Sequence, residues 1–156
     1  MRTNSSSAAT KYQHSQVTHA DPVQLIVLLY EGALSRIAQG HQRLQEKDRL
    51  QAGIAISKAQ AIVGELRQSL NMEAGGDIAK NLSRLYAYLH DLLVKAMIES
   101  QVEPLEEAAN LLNELRTAWV EVAKQAKESL ERTRPAQTAV SGSGAAAGVN
   151  RLQVKA

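Results

Sequence analysis

The chain has no cysteine and no phenylalanine, and only one tryptophan and four tyrosines, in 156 residues. Without cysteine neither a disulfide framework nor a thiolate zinc site can form, and thiol redox chemistry is excluded; a reducing compartment fits this composition. So few aromatics leave no stacking platform for single-stranded nucleic acid, and any core must be aliphatic. Long apolar runs are missing too. The run Leu25–Tyr30 in "QLIVLLYEGAL" has six residues, far short of the roughly 20 that span a bilayer. The opening "MRTNSSSAAT" carries one basic residue and no apolar segment, unlike a secretory signal. Charge of one sign is scarce as well. Lys and Arg number 18 against 16 Asp and Glu, and Arg132, Arg134, Arg151 and Lys155 near the end face the single acid Glu131. These features argue against nucleic acid as a partner and against membrane insertion.

What is present is helical periodicity between two polar ends. Residues 1–20 are rich in Ser, Thr, Gln and His, with Tyr12 and Val17 as the sizeable apolar side chains, and read as a mobile arm. Asp21, Pro22 and Gln24 give a helix start, and the stripe Ile26, Leu29, Tyr30, Ala33, Ile37, His41, Leu44 predicts a helix over about 22–46. Asp48 with Gln51 starts a second helix over 49–70, striped by Ala55, Ala59, Ile62, Val63, Leu66 and Leu70. "NMEAGGD" reads as a turn in which Gly75 and Gly76 can take positive φ and Asp77 can cap the next helix. The third helix, 77–99, carries Ile78, Leu82, Leu85, Leu89, Leu92 and Ala96, widened by Tyr86 and Leu93. Pro104 opens a fourth over 104–132, whose stripe begins Leu105, Ala108, Ala109, Leu112, Leu115 and Trp119. Residues 133–156, with a Ser/Gly/Ala stretch after Pro135, have linker-like composition and are expected to be a disordered tail. Short connections between helices of such length predict an all-α fold, an antiparallel up-down-up-down four-helix bundle over 21–132.

Chemistry is harder to find. A di-iron bundle needs Glu-x-x-His motifs, and none occurs. No two of the histidines His14, His19, His41 and His90 make the i, i+4 pair of a helical metal site. Gly75 and Gly76 follow no strand and precede no Gly-Lys-Ser/Thr, so a phosphate loop is excluded. No catalytic, cofactor or metal site is expected, and the chain does not read as an enzyme. The rival class is a histidine phosphotransfer bundle using His90 or His41, although His41 falls on the apolar stripe and His90 lacks a basic neighbour one turn away.

Apolar surface, by contrast, exceeds what four stripes need. Six successive apolar residues sweep all round a helix, so Leu25, Val27 and Leu28 point away from the Ile26 stripe and need a cover. Tyr88 falls with Asn81, Arg84, Asp91 and Lys95 on the polar side of the third helix, and Leu111 with Ala118 extends the apolar arc of the fourth. Together these suggest grooves that receive another chain.

Several stretches in order carry a resemblance. "YQHSQVTHADPVQLIVLLYEGAL", "ISKAQAIVGELRQSLNMEAGGDIAKNLSRLYAYL" and "EEAANLLNELRTAWVEV" resemble the flagellar secretion chaperone family FliS over about Tyr12 to Val122. Asp21 stands where that family usually has a capping serine, Glu31 stands for an aspartate, and the opening lacks the usual Met-Tyr close to the bundle. The resemblance implies a non-enzymatic cytoplasmic bundle, without cofactor, that binds the C-terminal segment of flagellin and prevents its premature polymerisation. It implies delivery to the flagellar type III export gate, with an anti-sigma factor or a co-chaperone as further candidate partners. Carried over by position, the flagellin-binding candidates are Tyr12 and Val17 in the arm, Leu25, Leu28 and Leu29 in the apolar run, and Asn81, Leu85, Tyr86 and Tyr88 in the third helix. Leu111 joins them from the widened arc of the fourth. The arm is expected to compete with, or be reorganised by, the guest.

Overall fold

The computed structural model describes residues 21–155, with side chains to residue 133. Tyr12, Val17 and the rest of the arm lie outside the described residues. Four helices follow one another: α1 Pro22–Gln45, α2 Arg49–Gln68, α3 Met72–Glu99 and α4 Glu103–Lys155. Connections of three residues make consecutive helices antiparallel neighbours, and up to Val120 they form one compact unit. No helix among the described residues is long and apolar enough to cross a membrane.

The helix starts follow from capping chemistry. Asp21 accepts from the Gln24 N–H at 2.9 Å and Asp48 from the Gln51 N–H at 3.1 Å, each satisfying a donor that has no partner inside its helix. At α3 the cap is Asn71, which accepts from the Ala74 N–H at 3.0 Å, so the helix begins at Met72 rather than 77. The expected turn survives inside it as a kink. Gly76 sits at φ 51°, ψ −128°, a conformation closed to residues with a Cβ, and the regular part of α3 resumes at Asp77.

The core is aliphatic around two tyrosines. Tyr30, Ala33 and Ile37 of α1 meet Ile56, Ala59, Val63 and Leu66 of α2, and Tyr86, Leu89 and Leu93 of α3. From α4 come Leu105, Ala108 and Leu112. Close approach of α1 to α2 depends on small side chains: a Cβ on Gly40 would stand 2.9 Å from Ile56 Cγ1, and Ala52, Ala55 and Ala59 are buried along the facing side.

Two stripes are rotated from the sequence expectation. On α3 the buried residues are Ala79, Tyr86, Leu89, Leu92, Leu93 and Ala96, so the expected Leu89, Leu92 and Ala96 do face inward, whereas Ile78 at the start of the helix is 73% exposed and Ala79 is buried in its place. On α1, Val27 is 4% exposed; it belongs to the buried line with Tyr30, Ala33 and Ile37 rather than to the far side. The physical reason is the same in both. Tyr30 and Tyr86 must turn fully inward to pair their hydroxyls, which stand 2.6 Å apart, and their helices rotate with them.

Trp119 of α4 completes this network by donating its indole N–H to Tyr30 Oη at 3.2 Å. Burial pushes the Tyr30 phenol up, opposed by its bonds to Tyr86 and Trp119, and pushes the Tyr86 phenol well up, aided by Tyr30. Both therefore stay neutral at ordinary pH. Elsewhere α4 is held by polar pairs at its surface: His41 Nε2 with Glu106 Oε1 at 2.9 Å, Arg116 to Glu31 at 3.3 Å, and Tyr88 Oη donating to Glu107.

Residues 121–155 form a second unit, which is helical backbone throughout. It passes the boundary near 132 where the sequence composition suggests a tail. Ala136, Ala139 and Ala145–Ala147 favour helix there, while Pro135, Gly142, Gly144 and Gly148 oppose it.

Two stability measurements check this fold. The α1–α2 connection is a Schellman motif, with Asp48 N–H on Arg43 O at 2.9 Å and Lys47 N–H on Leu44 O at 3.0 Å. Lys47 is held at φ 62°, where glycine costs less, so Lys47→Gly should stabilise the chain by about 0.5–1 kcal/mol in urea unfolding. Tyr30→Phe strands the Tyr86 hydroxyl and the Trp119 N–H at once and should cost about 2–3 kcal/mol. Tyr86→Phe leaves Tyr30 its Trp119 partner and should cost about 1–2 kcal/mol. Equal losses, or none, would show that the hydroxyl pair does not order the core.

Candidate docking surface

The end of the bundle where α2 gives way to α3 is incompletely closed. An apolar cleft of about 330 Å³ opens there. Ile26 of α1 and Leu70 after α2 form one side; Ile78, Leu82 and Tyr86 of α3 form the other, and Trp119 comes from α4. The backbone around Asn71–Gly75 forms its rim. Its shape follows from the break in the chain. The kink at Gly76 swings the first turn of α3 out of line with the rest, and among the described residues no helix fully covers the stripe residues beside it.

The walls are ordered differently from the rim. Tyr86 is 2% exposed and Trp119 is half-buried with its N–H committed to Tyr30, so two large aromatic side chains are fixed before anything binds. At the rim, Ile78 is 73% exposed. A preformed aromatic wall beside exposed aliphatic side chains suits an apolar or amphipathic segment laid into the cleft. It offers no acid/base pair. Among the described residues no group of three or more His, Cys, Asp or Glu is placed to hold a metal.

The residues singled out in the sequence scatter around this cleft. Tyr86 lines it. Leu28 is exposed on the neighbouring turn of α1, at 41%, while Leu25 and Leu29 are half-buried and Leu29 packs on the core. Leu85 and Leu111 are half-buried, the latter against the core, and Asn81 is exposed. Tyr88 is 47% exposed and outside the cleft, its hydroxyl engaged by Glu107. That bond holds the Tyr88 phenol above its usual range, because ionisation would remove the shared proton beside a carboxylate. His41 is tied to Glu106, and His90 is exposed beside Asp91 at 3.9 Å.

Ile26, Leu70, Ile78, Leu82 and Trp119, which with Tyr86 are the large apolar side chains of the cleft, have in the sequence the look of ordinary stripe positions. A stripe shows which residues face inward, not whether a helix lies opposite. The available signal was their nearness to the "NMEAGGD" break, where a bundle must end.

Comparison with known proteins identifies the family. The sequence model of the family described as flagellar protein FliS matches residues 4–150. Among curated relatives, flagellar secretion chaperone FliSB of Pseudomonas aeruginosa is 40% identical over 105 residues, 67% of this chain and 83% of that protein. Flagellar secretion chaperone FliS of Salmonella typhimurium is 36% identical over 113 residues, covering 72% and 84% of the two chains. The Bacillus subtilis protein of the same name is 30% identical over 125 residues, covering 80% and 90%. The chain belongs to the FliS family of flagellar secretion chaperones.

Proposed function

We propose that this protein is a cytoplasmic export chaperone that holds the C-terminal segment of flagellin, keeps it from polymerising prematurely and delivers it to the flagellar type III export gate. The observation that carries this reading is the apolar cleft with its fixed aromatic wall and exposed Ile78 rim. Its lining residue Ile26 is five positions from Asp21, the residue to which the arm 1–20 is joined. Tyr12 lies nine positions before Asp21, and an extended chain of that length reaches up to roughly 30 Å. Tyr12 and Val17 are therefore within range of the cleft, and the arm competes with the guest for it.

Apolar burial sets the strength of the complex. A guest helix covering roughly 500 Å² of apolar surface gains on the order of 12 kcal/mol gross, and ordering a disordered guest consumes most of it. The result is a complex tight enough to block polymerisation and loose enough to release at the gate. An anti-sigma factor or a co-chaperone would use the surface that flagellin leaves uncovered. Leu28 and Tyr88 extend the contact beyond the cleft, on the exposed sides of α1 and α3.

A flagellin C-terminal peptide should bind the purified protein at micromolar concentrations or below, and absence of binding there would sink the reading. Ile78→Asp should weaken the complex at least about tenfold while leaving the melting midpoint nearly unchanged, because Ile78 is already in water. Tyr88→Ala should weaken it several-fold with a similarly small effect on melting. Undiminished binding by Ile78→Asp would place the guest elsewhere on the bundle.

A further inference from the structure

The seam between α1 and α2 carries a second concavity of different chemistry. A cleft of about 160 Å³ is walled by the cations Arg36, Arg43 and Lys58 and by the amides of Gln39, Gln42 and Gln51. Arg36, Gln39 and Arg43 succeed one another by three and four residues on α1, and Gln51 and Lys58 lie two turns apart on α2, so both rows face the seam. No carboxylate lines it. Glu46, which is not a lining residue, takes Arg43 at 3.1 Å and accepts from Gln42 Nε2 at 3.0 Å; the Arg43 and Glu46 side chains are 48% and 45% exposed, and such a pair is readily exchanged. None of the ion pairs among the described residues includes Arg36 or Lys58; the partner of Arg36 is the neutral Gln39 Oε1 at 3.2 Å. At the lip stands Ile54, 43% exposed.

We propose that this cleft is a docking site for an acidic amphipathic segment of a partner protein, with carboxylates on Arg36 and Lys58 and an apolar side chain on Ile54. Guanidinium forks take carboxylates in bidentate fashion, and the glutamine amides can donate to the remaining oxygen lone pairs. A duplex nucleic acid would need cations spread along several phosphates, and a single strand would need aromatic faces for its bases. The cleft offers three clustered cations and no aromatic side chain. Ile54, between Gln51 and Lys58 on the α2 row, also matches the apolar positions of an amphipathic peptide and has no counterpart on a phosphate backbone. The site is independent of the apolar cleft, with which it shares no residue.

The test uses the full chain and a fluorescein-labelled amphipathic peptide with glutamates at helical spacing and leucines between them, read by anisotropy. It should bind about tenfold more tightly than the same peptide with glutamines, and weaken as salt rises from about 50 to 300 mM. R36Q/K58Q should lose about tenfold in affinity. K80Q/K95Q, which removes the same charge from exposed positions of α3, should leave it unchanged, and both variants should melt like the parent. Three results would overturn the proposal: equal binding of the two peptides, equal losses in the two double variants, or tighter binding of a DNA duplex that R36Q/K58Q abolishes.

Discussion

Three helices meet on one phenolic oxygen. Tyr30 of α1 shares a hydrogen bond with Tyr86 of α3 and accepts another from Trp119 of α4, within a core that is otherwise aliphatic. Buried hydroxyls and indole N–H groups are costly when unmade, so this arrangement penalises any rotation of α1, α3 or α4 that separates the three groups. Aliphatic packing alone would accept several neighbouring registers at little cost. The tyrosine pair is what makes one of them preferred, and it explains why Val27 and Ala79 are buried while Ile78 faces water.

The same constraint shapes the docking surface. Tyr86 and Trp119 are at once members of the network and walls of the apolar cleft. Rigidity in the wall and specificity in the core therefore have a common source. At the other end of the seam, Gly40 and the alanines of α2 let α1 and α2 close tightly. Where α2 ends and Gly76 kinks α3, that closure is incomplete among the described residues, and apolar stripe residues are only partly covered.

Much of the fold was legible because local chemistry and periodicity agree. Asp21 and Asp48 cap where their spacing to Gln24 and Gln51 implies, and the buried line of α2 is close to its sequence stripe. The phase of α3 was not legible. Both Ile78–Leu85–Leu92 and Ala79–Tyr86–Leu93 repeat every seven residues; Leu92 and Leu93 are both buried, and it is in the earlier turns that the partner of the Tyr86 hydroxyl, distant in sequence, favours Ala79 over Ile78. The cleft was hidden for a related reason. Ile26, Leu82 and Trp119 have the spacing of core residues, and what exposes them is the position of the chain break relative to their neighbours. Tyr88 was legible as an outward residue from its polar companions, but its bond to Glu107 depends on the register of α4.

Trp119 is the chain's single tryptophan and stands in the wall of the apolar cleft, so its fluorescence reports directly on occupancy. Titration with a tryptophan-free flagellin C-terminal peptide should give a saturable blue shift of the emission, with the same affinity as the anisotropy of the labelled peptide. Binding by anisotropy with an unchanged Trp119 spectrum would contradict the account, because the guest would then be held without entering the cleft.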